Sequence, residues 1–283
     1  MKNNYSLKKD VNDVCAVLSI TELEFSLKAD ISLRTLQGAY TSGASNEITE
    51  KIYNAIYESG LRLNRAKAEL YSETIDKSEV LLFHGSKNGI DELTIDGSRE
   101  NCDFGSGFYC SQFYDSALCF VENYDFSSVY LFSLSANDLS CVTIPPSIDW
   151  MIIVCYFRGM LTSYSDNSIL KRSLDLIKDK DLIIAPIADN RMFQIMREFG
   201  LGEITDQQAI HALSASRLGN QYVFKTKKAL KRLNLLERLY ISRSEREKSI
   251  KDTLDRKNII DTKLRLSKRE FKNCGVYIDE VFK

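Results

Sequence analysis

The first 75 residues carry apolar side chains at the three- and four-residue spacing that is typical of amphipathic helices. The clearest of these stripes consists of three isoleucines, namely Ile48, Ile52 and Ile56. Thr21 and Glu24 have the spacing of a capping box, in which a hydroxyl and a carboxylate bond the free amides at the start of a helix. The pattern predicts a cluster of short helices over residues 12–70 and a helical linker over residues 62–78.

A third short helix is predicted over residues 32–41, because Leu33, Leu36 and Tyr40 share one face and Gly43 suits the C-terminal cap. The order of helix, turn, helix and supporting helix resembles the helix-turn-helix of the phage-repressor type, whose second helix enters the major groove of DNA. The side chains that this resemblance directs toward DNA are Ser32, Arg34, Thr35 and Gln37. Such clusters also serve as dimerisation or partner-docking modules, and the nearly neutral charge of this segment weakens the DNA hypothesis.

Beyond residue 78 the chain changes to short, compact apolar runs that are separated by turn residues. Four runs predict strands, at residues 80–83, 129–134, 182–187 and 221–226. Three runs predict helices, at residues 150–157, 191–199 and 207–213. Because strands and helices mix without the regular alternation of a doubly wound sheet, the pattern predicts an α+β domain.

The segment from residue 229 to residue 272 is rich in charge and is predicted to be helical. Its apolar positions recur every three residues, at Leu230, Leu233, Leu236 and Leu239. Two interpretations stay open for this segment: a solvated helix packed on the domain, or a basic arm that contacts a nucleic acid or an acidic partner.

Composition places the protein among ordinary folded chains. With 283 residues, of which 44% are hydrophobic and 27% charged, the chain has the length of about two domains. Seven cysteines without a C-x-x-C pair favour a reducing compartment and no structural zinc, so no metal is expected. No apolar run approaches the roughly 20 residues of a membrane helix, and the N-terminus lacks the pattern of a signal peptide. We therefore expect a cytoplasmic protein without a membrane partner.

Charge is unevenly distributed along the chain. The formal net charge of −1 excludes a wholly basic nucleic-acid binder, yet residues 225–283 hold 18 Lys and Arg against 9 Asp and Glu. Residues 76–224, by contrast, hold 11 basic and 20 acidic side chains. Together with the change of pattern, this asymmetry predicts a helical head over residues 1–75, an α+β domain over residues 76–233 and a basic helical extension over residues 234–283.

One stretch in the acidic middle, R-E-N-C-D-F-G-S-G-F-Y-C at residues 99–110, carries the strongest local signal. Gly105 and Gly107, bracketed by aromatic residues, predict a tight bend that leads into a strand and displays a ring. The stretch is not a Walker loop, since no G-K-S/T follows, nor a Rossmann fingerprint, since the third glycine and the helix are missing. Of the two histidines, His84 ends an apolar strand, whereas His211 lies within a helix and is expected to be structural or at the surface.

Four motifs follow one another along residues 79–233. They are V-L-L-F-H-G-S at 80–86, D-F-G-S-G-F-Y at 103–109, D-L-I-I-A-P-I-A-D-N at 181–190 and N-Q-Y-V-F-K-T-K-K-A-L at 220–230. This series closely resembles a bacterial family of uncharacterised domains related to the ADP-ribosyltransferases, in the branch that uses a His, Tyr and Glu triad. The resemblance implies an ADP-ribosyltransferase-like split β-sheet with a cleft for NAD⁺ between two small sheets.

The resemblance also implies roles for the matched residues. His84 would hydrogen-bond the hydroxyls of the adenosine-side ribose, and Tyr109 would stack on the nicotinamide ring and hold the dinucleotide folded. Arg99, shortly before the bend, is expected to bind a phosphate bidentately. The other residues expected to contact NAD⁺ are Gly85, Ser86, Phe104, Gly105 and Gly107.

The chain departs from the family pattern at the start of the last predicted strand, where relatives carry Glu and this chain carries Gln221. A neutral amide can orient a ribose hydroxyl through its carbonyl oxygen, but it cannot act as a general base. Asp189, which follows an apolar strand, is the best substitute for the missing carboxylate, although it equally suits the N-cap of the helix predicted after it. Either Gln221 or Asp189 therefore takes the role of the catalytic Glu.

Two functions follow as hypotheses. The first is an NAD-dependent mono-ADP-ribosyltransferase that acts inside a bacterial cell as a toxin or effector, of the toxin–antitoxin or phage-defence type. Its partners would be NAD⁺ as co-substrate, a protein or nucleic-acid acceptor, DNA at the helical head, and an antitoxin. The second is a non-catalytic transcriptional regulator, in which the α+β domain binds NAD⁺ and the head binds DNA.

Overall fold

The computed structural model describes residues 5–98, 101–188, 190–213, 219–272 and 274–283. The α-helices are α1 (Leu7–Leu18), α2 (Glu22–Lys28), α3 (Leu33–Ser42), α4 (Asn46–Glu58), α5 (Leu63–Thr74), α6 (Tyr114–Cys119), α7 (Ile148–Phe157), α8 (Ser168–Asp175), α9 (Asn190–Gly200), α10 (Asp206–Leu213), α11 (Lys227–Leu230), α12 (Arg243–Glu270) and α13 (Ile278–Val281). The strands are β1 (Val80–Ser86), β2 (Phe108–Ser111), β3 (Ser128–Leu134), β4 (Cys141–Thr143), β5 (Leu182–Pro186), β6 (Asn220–Phe224) and β7 (Leu233–Tyr240). Among these helices none is both long and apolar enough to cross a membrane.

The mixture of helices and strands confirms the predicted α+β class, and the chain folds into two compact units. The first unit comprises the described residues within 1–92, 114–135 and 234–252, and the second those within 93–113, 136–233 and 253–283. In the first unit the strands lie in the order β1-β3-β7, and in the second in the order β4-β5-β6-β2. The sequence predicts domains that are continuous in the chain, with boundaries at residues 75 and 233. Each unit instead combines several stretches of chain. The predicted domain boundaries stay predictions.

The helices of the first unit begin where the sequence supplies caps. At the start of α2 the Thr21 amide donates to Glu24 Oε2 over 2.7 Å and the Glu24 amide donates to Thr21 Oγ1 over 3.2 Å, so the predicted capping box is present. Ser32 and Ser45 cap α3 and α4 with their hydroxyls. The helices predicted over residues 12–70 are confirmed, and their buried apolar faces form one core.

The sheet of the first unit is built around β3, whose seven residues are all buried. Strand β1 pairs with it antiparallel, which places His84 directly opposite Tyr130. Successive side chains of a strand point to opposite faces, so Phe83 and Gly85 lie on the face that α6 covers and His84 lies on the other.

In the second unit β5 pairs parallel with β4 and antiparallel with β6, and β6 pairs antiparallel with β2. Helix α7 packs in the centre of its core. Every residue from Trp150 to Cys155 is fully buried, as expected for a helix that is apolar on all sides. The strands and helices predicted over 182–187, 221–226, 150–157, 191–199 and 207–213 are confirmed with small shifts at their ends.

The prediction of continuous helical structure from residue 229 to residue 272 is wrong for residues 233–240, which form strand β7. Leu233 and Leu239 are buried, and β7 takes the position beside β3 in the sheet. A three-residue leucine spacing fits a helix, but pairing with a fully buried neighbouring strand outweighs that local preference. The long helix predicted for this region begins only at Arg243.

Candidate functional site

The glycine-rich bend of the second unit is fixed by close contacts that exclude larger residues. Gly105 has φ of +68°, and a Cβ added there would lie 2.8 Å from Cε1 of Phe157. At Gly107 a Cβ would lie 3.0 Å from the carbonyl oxygen of Phe224 on β6. The left-handed backbone explains the need for glycine at position 105, and the close approach of two strands explains it at position 107.

Side chains from β2 and from the end of β6 tie the bend down. The Tyr109 hydroxyl donates to the carbonyl of Gly105 over 2.5 Å and accepts from the Phe104 amide over 3.2 Å. Lys225 Nζ donates to the carbonyl of Phe104 over 2.8 Å and also to the carbonyl of Ser106. The bend thus satisfies its own carbonyl groups and is held in one conformation.

Burial governs the titration of both side chains. It raises the pKa of the Tyr109 hydroxyl well above its ordinary value, so this group stays a proton donor at physiological pH. It lowers the pKa of Lys225, whose ammonium group is partly removed from water. The Phe104 side chain is fully buried in the core, which accounts for this residue without a ligand.

Two of the predicted site residues lie close together on the paired strands β2 and β6. The antiparallel register sets Tyr109 opposite Val223 and Ser111 opposite Gln221. Residues directly opposite each other share a face, as do residues two apart on a strand, so Tyr109 and Gln221 are diagonal neighbours on one face. The structure therefore brings together the Tyr and the Gln that the motifs singled out.

Gln221 belongs to a buried polar cluster centred on Asp103, a residue that sequence analysis did not select. Asp103 Oδ1 accepts from Nε of Arg158 over 3.1 Å and from its Nη2 over 2.5 Å. Asp103 Oδ2 accepts from Nε2 of Gln221 over 2.8 Å and from the Ala188 amide over 3.3 Å. Gln221 Nε2 also donates to the carbonyl of Pro186 over 2.9 Å. A carboxylate that accepts four hydrogen bonds, two of them from a guanidinium, is a structural anchor and not a free base.

The sequence held signals for this cluster. Asp103 opens the motif D-F-G-S-G-F-Y, Lys225 ends the apolar run N-Q-Y-V-F-K, and Arg158 follows the apolar helix α7. Charged residues inside or directly after apolar runs are rarely buried unless they are paired. The positions of Lys225 and Arg158 therefore indicated buried partners for two basic residues, but the sequence did not show that Arg158 pairs with Asp103.

In the first unit, His84 is half-buried on β1 and is not without an interaction partner. A Cβ at Gly85 would lie 2.5 Å from the Ala117 carbonyl, so the close approach that this glycine allows is made by α6. The Ser86 hydroxyl donates to the Gly89 carbonyl over 2.8 Å and closes a local turn. The roles in NAD⁺ binding expected for these three residues stay predictions.

The four residues expected to face DNA lie at the start of α3. The Ser32 hydroxyl caps the helix by accepting from the Thr35 amide over 3.0 Å. Arg34, Thr35 and Gln37 are exposed, whereas Leu36 between them is buried. The prediction that these side chains point outward is confirmed, and their binding to DNA stays a prediction.

Two further predicted site residues, Arg99 and Asp189, lie outside the described residues. Within the described ranges no group of three His, Cys, Asp or Glu side chains has the arrangement to hold a metal ion. His211, expected to be structural or at the surface, is exposed on α10, where its Nδ1 lies 3.0 Å from the Ser267 hydroxyl.

Comparison with known proteins gives a family but no activity. A family model, DUF3990, described as a protein of unknown function, matches residues 80–235, from the first residue of β1 into β7. Neither a curated protein nor a solved structure matches the chain. The resemblance over residues 79–233 to a family of uncharacterised domains is thereby confirmed in its coarser form.

Proposed function

Since the chain belongs to the DUF3990 family through more than half of its length, and that family's description assigns no activity, we propose from the residues that it is an NAD-dependent mono-ADP-ribosyltransferase. In this proposal NAD⁺ is the co-substrate and a protein or nucleic acid is the acceptor. The protein acts in the bacterial cytoplasm as a toxin or effector, and an antitoxin is its expected partner.

One observation supports this proposal above the others. Tyr109 and Gln221, matched to the family pattern from motifs more than 100 residues apart, are neighbours on one face of two paired strands. The Tyr109 hydroxyl and the Lys225 ammonium group both bond the bend that precedes Tyr109, so the ring of Tyr109 has a fixed position. A rigid aromatic ring beside a polar strand-end side chain suits the binding of a flat, hydroxyl-bearing ligand such as the nicotinamide riboside part of NAD⁺.

The proposed reaction replaces one bond at C1′ of the nicotinamide ribose. The bond from C1′ to the nicotinamide nitrogen breaks, and nicotinamide leaves with the bonding electrons. A nucleophilic atom of the acceptor forms the new bond to C1′ and releases its proton to solvent. Positive charge develops on the ribose between these events. A group that accepts a hydrogen bond from a ribose hydroxyl therefore stabilises the transition state more than the ground state.

The amide of Gln221 limits which acceptors suit the enzyme. Its Oε1 can accept a hydrogen bond from a ribose hydroxyl, but a neutral amide cannot remove a proton from an incoming nucleophile. The proposal is therefore single transfer to an acceptor that is already nucleophilic, without growth of a poly(ADP-ribose) chain.

The test is incubation of the purified protein with labelled NAD⁺ and a bacterial lysate. We expect transferred label together with released nicotinamide, and a loss of both by about tenfold or more in His84→Ala. His211→Ala is the matched control, because it removes the other histidine, and it should retain the activity of the parent. Treatment with nuclease and with protease identifies the acceptor class. Neither transferred label nor released nicotinamide from the folded parent would overturn the proposal.

A second function, a non-catalytic regulator that binds NAD⁺ and DNA, is favoured by two other observations. Gln221 supplies no carboxylate, and Arg34, Thr35 and Gln37 are exposed on a capped helix. This alternative predicts calorimetric binding of NAD⁺ without nicotinamide release, and a shift of operator DNA that weakens as salt is raised. Arg34→Ala should then weaken DNA binding and leave NAD⁺ binding unchanged.

A further inference from the structure

The amide of Gln221 has one end fully engaged and the other end open. Both hydrogens of Nε2 are donated, one to Asp103 Oδ2 over 2.8 Å and one to the Pro186 carbonyl over 2.9 Å. Among the described residues, Oε1 of the same amide has no hydrogen-bond partner. The residue as a whole is only 6% exposed. An amide oxygen without a partner in the described part of the chain can accept a hydrogen bond from a ligand or from water.

Asp103 decides which end of the amide is engaged. The two ends of a glutamine amide have almost the same shape, so hydrogen bonding alone determines its direction. If the amide turned over, Oε1 would face the Asp103 carboxylate and the Pro186 carbonyl, and three acceptors would meet without a hydrogen between them. Asp103 in turn cannot rotate away, because Arg158 and the Ala188 amide hold its two oxygens.

We infer that Asp103 is the positioning residue that holds Oε1 of Gln221 outward as the acceptor for a hydroxyl of the bound substrate. The identity of that hydroxyl, on the nicotinamide ribose, rests on the proposed function. The direction of the amide does not, because it follows from the contacts of Asp103 alone.

The same geometry explains why this position carries Gln in place of Glu. A glutamate here would set a second carboxylate within hydrogen-bond distance of Asp103, in a region that is nearly removed from water. Two carboxylates in such contact cannot both ionise, so one would hold a proton and the pair would repel as pH rises. The neutral amide is the residue that Asp103 requires.

The first experiment measures melting temperature between pH 5 and pH 8 for the parent, Q221E, D103N and the double variant D103N/Q221E. We expect Q221E to lose about 4 °C or more relative to the parent as pH rises across this range. The double variant should not show this loss, because the introduced asparagine amide can donate to the introduced carboxylate. D103N alone is expected to be less stable than the parent throughout this pH range, because it weakens the pairing with Arg158.

Q112E is the matched control for the added charge. Gln112 Oε1 accepts from the Asn220 amide over 3.1 Å, a bond that a carboxylate can also accept, so no pH-dependent loss is expected. If Q221E behaves like Q112E, or if the effects of D103N and Q221E are additive, Asp103 does not determine the direction of the amide and the inference is overturned.

The second experiment measures nicotinamide release by the same variants. In D103N, Arg158 requires the asparagine oxygen, so the asparagine NH2 faces Gln221 and favours the reversed direction of its amide. Loss of the outward oxygen should lower kcat about tenfold or more with a smaller change in KM. The double variant should recover kcat, because it again presents a fixed oxygen. A parent-like kcat in folded D103N would overturn the positioning role. Absence of nicotinamide release by the parent would overturn the proposed function, while the melting-temperature cycle still decides the direction of the amide.

Discussion

Each unit of the protein contains a buried cluster of charged side chains, and the two clusters are built on opposite plans. In the first unit Lys67 Nζ is shared between Asp10 and Glu237, with a distance of 2.6 Å to Glu237, so one cation faces two carboxylates. In the second unit Asp103 faces one cation, Arg158, and neutral donors. The first cluster carries an excess of negative charge, whereas the charges of the second are balanced.

The difference reflects what each cluster holds together. Asp10, Lys67 and Glu237 come from α1, α5 and β7, and the cluster ties the helical head to a strand more than 160 residues further along the chain. Burial raises the pKa of Asp10 while Lys67 opposes that rise, as expected where one cation serves two acids. The cluster of Asp103 instead holds the amide of Gln221 in one direction. We therefore expect the first cluster to govern stability and the second to govern the geometry of the candidate site.

The largest effect is expected for Lys67→Met. This change leaves two carboxylates buried without their cation, since the side chains of Asp10 and Glu237 are 2% and 10% exposed. The free energy of unfolding should fall by about 3–5 kcal/mol, measured by urea denaturation at neutral pH. The loss should shrink as pH falls, because the two acids can then take up protons.

Lys9→Met is the control for removal of a lysine. Lys9 pairs with Asp13 over 2.7 Å on an exposed face of α1, where an ion pair contributes about 0.5 kcal/mol or less. Equal losses in the two variants would show that the cluster of Lys67 has no special role in stability.

The next effect concerns pH. Burial raises the pKa of Glu245 from 4.5 to about 7, although hydrogen bonds from Tyr114 and Asn64 and the charges of Arg65 and Arg62 oppose the shift. Between these pH values the folded state keeps a proton that the unfolded state has lost. The contribution of Glu245 to the free energy of unfolding is therefore greatest below about pH 4.5. Up to about 3 kcal/mol of it is lost as pH rises to about 7.

Glu245→Gln tests this assignment. The glutamine amide can still accept from Asn64 or Tyr114 but does not titrate, so the slope of stability against pH over this range should decrease. Denaturation curves at pH 4.5, 6 and 7.5 measure the slope. An unchanged slope would assign the pH dependence of the protein to groups other than Glu245.

Gly105→Ala tests how rigid the bend of the second unit is. The added methyl group meets the ring of Phe157 at 2.8 Å in a left-handed backbone, so we expect a loss of about 1–3 kcal/mol. Gly38→Ala is the matched control, because a Cβ there meets nothing within 4 Å and the residue lies within α3. That change should instead stabilise the protein by about 0.5–1 kcal/mol. If Gly105→Ala is as well tolerated as Gly38→Ala, the bend is not the fixed element that the site requires.

Local sequence patterns predicted most of the helices and strands. They failed where pairing with a strand distant in the sequence determines the secondary structure. The caps at Thr21, Ser32 and Ser45 lie within three residues of the amides they bond, so a short stretch of sequence contains the whole interaction. Strand β7 depends on β3, more than 100 residues earlier in the chain, and its leucine spacing gave no sign of that partner. The same limit applies to the site. Gln221 was recognised from its motif, but its bond to Asp103 joins residues 118 positions apart.

The smallest effect is expected for Tyr109→Phe, and it separates the two roles of this residue. The change removes the bonds to the Gly105 carbonyl and from the Phe104 amide but keeps the ring, so stability should fall by about 1 kcal/mol. Tyr222→Phe is the control, because this half-buried tyrosine lies on the other face of β6 and its hydroxyl has no hydrogen-bond partner in the described part of the chain. If Tyr109 acts on NAD⁺ through its ring, Tyr109→Phe should keep most nicotinamide release, whereas Tyr109→Ala should abolish it. A loss of release in Tyr109→Phe as large as in Tyr109→Ala would instead assign the role to the hydroxyl, and hence to the fixed shape of the bend.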